Sequence, residues 1–329
     1  MKLNLWRWTL ALLAVLAMVA AGCGDDEEDS GGGGGGAEGG GGEAPAAQVI
    51  EKNPANADKS VTIGSKNFPE QYILGNIYAQ ALTAAGYKAD TELDLGDENV
   101  AFKALQQGEI DAYPEYTGTS LSTHLKVKVT EIPKEPDVAF QQLVEGQKKN
   151  KVTPLPHTEF ENTYRIGMLK ETAERLGNPT TISDLSDKAS ELSIMGYPEC
   201  RQRPDCLLGL QDTYGLKFKK FVAAQDQYAI LDSKKADVAM VFTTDANLTT
   251  DKYVVLEDDK KLFPPYQVTL LFRDDTLQEL GPDAQKTVEQ VQRGLNNEVM
   301  GELNSRVALD KQKPEKVAAD YLREAGFVK

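Results

Sequence analysis

Cysteine, histidine and basic charge are all scarce in this chain of 329 residues, and each shortage closes off a class of function. Three cysteines and two histidines, His124 and His157, offer no zinc site of ordinary spacing, because neither histidine lies near Cys200 or Cys206. Lysine and arginine together number 36 against 51 acids, a formal net charge of −15. An acidic surface repels phosphate backbones and no basic stripe interrupts it, so nucleic acid is not an expected partner. Glycine fingerprints are missing too. GSKNF (Gly64–Phe68) is neither a dinucleotide turn nor a P-loop, and no G-x-S-x-G elbow occurs. No cofactor is expected. One catalytic reading survives: a secreted enzyme with a Cys–His site, which needs Cys200 or Cys206 as a free thiol.

Long apolar runs are absent except at the start. Lys2 and Arg7 precede the apolar run Leu10–Ala21, and the small residues Ala21 and Gly22 stand before Cys23. That run is short for a bilayer span of roughly 20 residues, and charges follow at once. The arrangement resembles a bacterial lipoprotein signal, in which the cysteine is lipidated, palmitate included, and becomes the new N-terminus. Ala20 stands where leucine is usual. The expectation is a signal peptide over residues 1–22, a lipid anchor on Cys23 and an extracytoplasmic location at the cell membrane. Residues 25–47 hold seven acids and no base among many glycines, too little apolar surface to offset the entropy of ordering. They predict a flexible tether over 23–59. Outside the cytoplasm Cys200 and Cys206 can form a disulfide, or remain two buried thiols.

What is there is an α/β rhythm. Val61–Lys66 reads as a strand ending in a glycine–serine turn. Helical periodicity runs from Glu70 to Ala85, with Pro69 in the first turn and Gly86 at the end. A strand (Ala89–Leu95), a helix (Glu98–Gln107) and a strand around EIDAYPEY follow. Further strands are read in YRIGMLK, SELSIMGYP, FKKFVAA, ADVAMVFTTD and over Gln267–Phe272, and the chain ends in helices. Sheets covered by helices are implied.

GSKNFPEQYILGNIYAQAL, DAYPEYTGTSL, PECRQRPD, VFTTDANL and FPPYQ together resemble the substrate-binding proteins of ABC importers for glycine betaine, choline and related quaternary ammonium osmoprotectants. The resemblance covers about residues 60–329. It implies a type II periplasmic-binding-protein fold: two lobes, a ligand cleft between them and two hinge crossings near Asn162 and Gln267. Residues 60–161 plus 268–329 would form one lobe and 162–267 the other. Implied partners are a small quaternary ammonium ligand and a membrane permease, with the binding protein a monomer. A choline- or carnitine-specific protein, or a ligand-sensing domain of the same fold, are the alternatives within the resemblance.

The chemistry agrees. A quaternary ammonium has no N–H, so aromatic faces must recognise it, each contributing roughly 0.5–2 kcal/mol. The family's tyrosine cage maps onto Tyr116, Tyr164 and Tyr266, with Phe242 where tyrosine is commoner. Asn162 falls where some relatives have an acid. Lys66, Thr119 and Arg203 match the family's donors to a ligand carboxylate, and Gln71 is expected as a polar wall. Relatives usually show phenylalanine at Cys200 and glycine at Cys206. A Cys200–Cys206 disulfide explains both departures together and would stiffen the loop that carries Arg203.

Overall fold

The computed structural model describes residues 49–329, so the expected signal peptide, Cys23 and most of the expected tether lie outside the described residues. Within residues 49–59, assigned to the tether, Ile50 and Asn56 are buried against the folded domain. Ile50 is buried and its N–H donates to the Phe327 carbonyl at 2.8 Å. Asn53 Nδ2 donates to Asp283 at 2.6 Å. Lys59 Nζ donates to the Leu280 carbonyl at 2.8 Å as well, and composition cannot see these contacts with the far end of the chain.

Ten strands among the described residues build two sheets. In chain order they are β1 (Ser60–Gly64), β2 (Lys88–Glu92), β3 (Ala112–Tyr116), β4 (Val152–Pro154), β5 (Tyr164–Leu169), β6 (Ser193–Gly196), β7 (Lys220–Ala223), β8 (Val238–Phe242), β9 (Tyr253–Leu256) and β10 (Val268–Arg273). The sheets are ordered β2-β1-β3-β10-β4 and β7-β6-β8-β5-β9. Both repeat one pattern. Three parallel strands are followed by a strand antiparallel to them, β10 in the first sheet and β5 in the second, and then by an outer strand. The chain leaves the first sheet after β4 and returns to it in β10. Its outgoing and returning segments meet in an antiparallel bridge, Glu161 opposite Gln267, and Asn162 N donates to the Tyr266 carbonyl at 3.2 Å.

The helix Pro69–Ala84 has Pro at its first position, where a missing N–H costs nothing. It is apolar nearly all round, and Ile73, Leu74, Ile77, Tyr78 and Leu82 are fully buried. Such a helix belongs inside, and it packs against Pro314–Glu324 as well as the first sheet. Gly86 turns the chain at φ +103°, where a Cβ would lie 2.6 Å from the Asn53 carbonyl oxygen.

Cys200 and Cys206 form a disulfide with Cα atoms 5.2 Å apart, and both are buried. Gly196, the last residue of β6, makes room for it, since a Cβ there would sit 2.9 Å from Cys200 Sγ. The bridge closes a loop six residues apart in sequence. Constraining the unfolded chain by that loop is worth about 2 kcal/mol in the entropy model. The double variant Cys200→Ser/Cys206→Ser is therefore expected to melt about 4–8 °C lower in a thermal scan. An unchanged melting temperature would show that the bridge does not stabilise the fold.

Candidate ligand-binding site

Parallel strands deliver their C-terminal ends to one cleft, the place where open α/β sheets bind ligands. Lys66 follows β1, Tyr116 ends β3, Phe242 ends β8, and Tyr197, Glu199 and Arg203 follow β6. Tyr164 opens β5 and Tyr266 stands just before β10. These residues, with Thr119 and Asn162, line one cavity of about 570 Å³. Of the residues expected from sequence, Gln71 alone is absent from its wall. Gln71 is fully buried behind it, and its Oε1 accepts from Lys66 N at 3.3 Å.

The aromatic rings cluster. Tyr164 lies 4.8 Å from Phe242 and 5.7 Å from Tyr266 between centroids, the latter edge-on at 87°. Tyr116 stacks on Phe68 at 6.2 Å, and Tyr197 lies 6.0 Å from Phe242. Protein cations already sit on two of these faces. Lys66 Nζ is 4.5 Å from the centre of the Tyr116 ring, and the Arg203 guanidinium is 5.7 Å from that of Tyr164.

Polar groups below the rings are tightly matched. Lys66 pairs with the fully buried Glu115, which also accepts from Tyr113 OH at 3.2 Å. Arg203 makes a fork onto Asp205, at 2.8 Å from Nε and 2.5 Å from Nη2, and reaches Glu98 at 3.1 Å through Nη1. Thr119 Oγ1 lies 3.5 Å from Nη2. Tyr266 OH donates to Asp205 at 2.5 Å. Burial alone would push the Asp205 carboxyl up, but the Arg203 guanidinium and the Tyr266 hydroxyl outweigh it and hold it below the usual carboxylate range. Burial drives the Tyr116, Tyr164 and Tyr266 hydroxyls well above their ordinary range, so they stay neutral donors.

Glu70 was not singled out in the sequence. It is buried in the first turn of its helix and accepts four hydrogen bonds. Tyr116 OH (2.7 Å) and Asn162 Nδ2 (2.8 Å) meet one oxygen; Thr244 Oγ1 (2.6 Å) and Asn304 Nδ2 (2.8 Å) meet the other. Those donors come from β3, the outgoing crossing, the end of β8 and the helix Asn297–Ala308. Glu98, Asp205 and Tyr197 were missed as well. Tyr197 and Asp205 flank Arg203 in GYPECRQRPD, and that adjacency was the available signal. Nothing in the sequence marks Glu98, which caps no motif.

The Cys–His reading fails on the disulfide, because neither Cys200 nor Cys206 is a thiol. His124 is buried against the Phe102 ring at 4.0 Å, and its Nε2 contacts the Glu98 carbonyl at 3.1 Å. His157 sits apart, beside Asp137.

Fold and site together define a solute-binding protein of the extracytoplasmic face, with a buried aromatic cluster suited to a quaternary ammonium. Residues 59–324 match the family model described as the substrate binding domain of ABC-type glycine betaine transport systems, and the chain belongs to that family. It is 33% identical to a glycine-betaine-binding protein of Pseudomonas aeruginosa, over 81% of this chain and 88% of that one. It is 30% identical to an ergothioneine transport permease/ergothioneine binding protein of Helicobacter pylori, over 86% of this chain and 51% of that one. A solved glycine betaine/carnitine/choline ABC transporter structure superposes with a TM-score of 0.67 at 26% identity, covering 81% of this chain and 99% of that one. The fold is the type II periplasmic-binding-protein fold, and the chain serves an ABC importer as a binding protein rather than an enzyme.

Asp245, on the cavity wall, gives a pH dependence. Its Oδ2 accepts from Phe242 N at 2.9 Å, Gln227 Nε2 at 2.9 Å and Tyr228 OH at 2.8 Å. Burial nevertheless pushes its carboxyl up from 3.8 to about 6. The folded state therefore holds this proton more tightly than the unfolded chain, and stability falls as pH rises between those two values. The difference in unfolding free energy between Asp245→Asn and the native protein, from urea titrations, should shift in favour of the variant from pH 4 to pH 7, by about 3 kcal/mol at most. A difference that is flat with pH would contradict the assignment.

Proposed function

We propose that the protein captures a quaternary ammonium compound of the glycine betaine, choline or carnitine kind, with its trimethylammonium head held among Tyr116, Tyr164, Phe242 and Tyr266. The observation that carries this is the convergence of aromatic faces from both sheets on a cavity whose walls hold seven carboxylates against three cations. A quaternary head offers no N–H to an acceptor, so ring quadrupoles and surrounding negative charge are what can attract it. The names borne by the Pseudomonas aeruginosa relative and the glycine betaine/carnitine/choline structure point the same way.

In this reading residues 60–161 with 268–329 form one lobe and 162–267 the other, hinged where Asn162 and Gln267 cross. Tyr116 belongs to the first lobe, and Tyr164, Phe242 and Tyr266 to the second or its hinge. Neither lobe alone completes the cage, so ligand shifts the protein toward the closed form, which docks on the permease as a monomer. A lipid on Cys23 keeps the domain near that permease, and the acidic glycine tether lets it swing. Phe242 keeps the ring face of its tyrosine counterparts and lacks the hydroxyl.

Tyr164→Ala removes one central face. By calorimetric titration with choline or glycine betaine it should lower affinity by about 2- to 30-fold, the worth of one cation–π contact. Unaltered affinity would displace the cage. Cys23→Ser should move the protein from the membrane fraction to the soluble extracytoplasmic fraction and abolish labelling by palmitate. Retention on the membrane would refute the lipid anchor.

A further inference from the structure

We propose that His124, which lies outside the cavity wall, is a positioning residue for the binding site: its imidazole N–H holds the first residue of the helix Glu98–Gln107 where the Glu98 carboxylate meets Arg203 across the cleft. Its effect on ligand affinity rests on the quaternary ammonium reading of the cage.

The hydrogen bonds around the ring leave it one protonation state. A carbonyl oxygen only accepts, so the 3.1 Å contact between His124 Nε2 and the Glu98 carbonyl puts a proton on Nε2. The other nitrogen, Nδ1, lies 3.1 Å from Ser120 Oγ, which accepts from Gln147 Nε2 at 2.9 Å. Ser120 therefore turns its own proton onto Nδ1, and the ring is the neutral Nε2–H tautomer. Gln147 is fixed in turn by Asn150 Nδ2, which donates to its Oε1 at 2.8 Å. Ser120 and Gln147 are fully buried, and the His124 side chain is 1% exposed. Burial lowers the imidazole pKa further than Glu115 and the Glu98 carbonyl raise it, so the ring stays uncharged.

His124 grips the same helix a second time, one turn further on. It stacks on Phe102 with ring centres 4.0 Å apart and planes 9° from parallel. Carbonyl and ring partner are four residues apart, so one imidazole sets both the position and the rotation of the first turn. The Glu98 side chain leaves that turn, and its Oε1 accepts from Arg203 Nη1 at 3.1 Å. Asp97 and Glu98 line the cavity from here. Tyr116 and Thr119 line it from the segment that runs on into Ser120 and His124. The imidazole thus joins two walls of the cavity from behind. Its Nε2 also lies 3.9 Å from Glu115 Oε2, on the carboxylate that holds Lys66. Both acids paired with cleft cations are set against one ring. An apolar ring would fill the same space beside Phe102; only the N–H fixes the Glu98 carbonyl.

The test compares His124→Phe, which keeps the stack and removes the N–H, with His124→Gln, whose amide N–H reaches toward the same carbonyl. In calorimetric titration of the intact protein with choline and with glycine betaine, His124→Phe should weaken binding about fivefold or more, and His124→Gln should recover most of the loss. In a Glu98→Ala background His124→Phe should change affinity by less than about twofold, because the carboxylate through which it acts is gone. The same cycle read as unfolding free energies from urea titrations needs no ligand, and there the two substitutions should be non-additive. An equal loss of affinity with and without the Glu98 side chain would mean a packing role only and would overturn the proposal. So would equal affinities of the phenylalanine and glutamine variants, or additive effects in urea. Failure of the native protein to bind either compound would overturn the cage reading instead, and the urea cycle would then decide the role of His124.

Discussion

Glu70 is a buried carboxylate satisfied by four neutral donors and no cation, and the cleft is organised around that fact. Its donors arrive from both sheets, from a crossing segment and from a C-terminal helix. They can meet only when these elements stand as they do here. Losing any one leaves a buried polar group short of a partner, at a cost of about 1–3 kcal/mol. The same carboxylate sets a negative potential under Tyr116, whose hydroxyl it holds, and fixes the side-chain amides of Asn162 and Asn304. Packing, electrostatics and recognition are thus joined at one side chain.

A second polar bridge runs in parallel. Arg203 links Asp205, inside the disulfide-closed loop, to Glu98, which opens a helix of the first sheet. Asp205 in turn fixes the Tyr266 hydroxyl. The disulfide therefore does more than stabilise a loop: it holds the two residues that position a cage ring and span the cleft. Buried ion pairs of this sort contribute little net stability against an apolar alternative, but breaking one partner is costly, so they enforce one arrangement. The rings then sit on a rigid polar frame, with protein cations over two of their faces.

Much of this was legible in the sequence. Periodicity and turn residues located the helix Pro69–Ala84, the strands around Val61, Tyr113 and Met240, and the returning strand that begins at Val268. Short edge strands such as Val152–Pro154 and Tyr253–Leu256 were not readable, since three or four residues carry no period and gain their identity from pairing with β10 and β5. The aromatic residues were legible because FPPY, NTYR and YPEYTG lie in distinctive settings, and all four expected rings line the cavity. Glu70, Glu98 and Asp205 were not, because a lone acid in an acidic chain looks like solvated surface. Only the fold shows them buried and bonded. Lys66 and Arg203 were expected as donors to a ligand carboxylate, and their protein partners, Glu115 and Asp205, became visible only once β3 and the disulfide loop were placed.

The central claim is that this cleft recognises positive charge on a bulky head. The most direct measurement compares choline with 3,3-dimethylbutan-1-ol, a neutral molecule of the same shape in which carbon replaces the quaternary nitrogen, by calorimetric titration. The account predicts saturable binding of choline in one-to-one stoichiometry and binding of the carbon analogue weaker by about a hundredfold or more, since each ring face loses its cation. Equal affinity for the two would mean that the aromatic cluster is an apolar pocket, and the account of a charge-reading cage would be wrong.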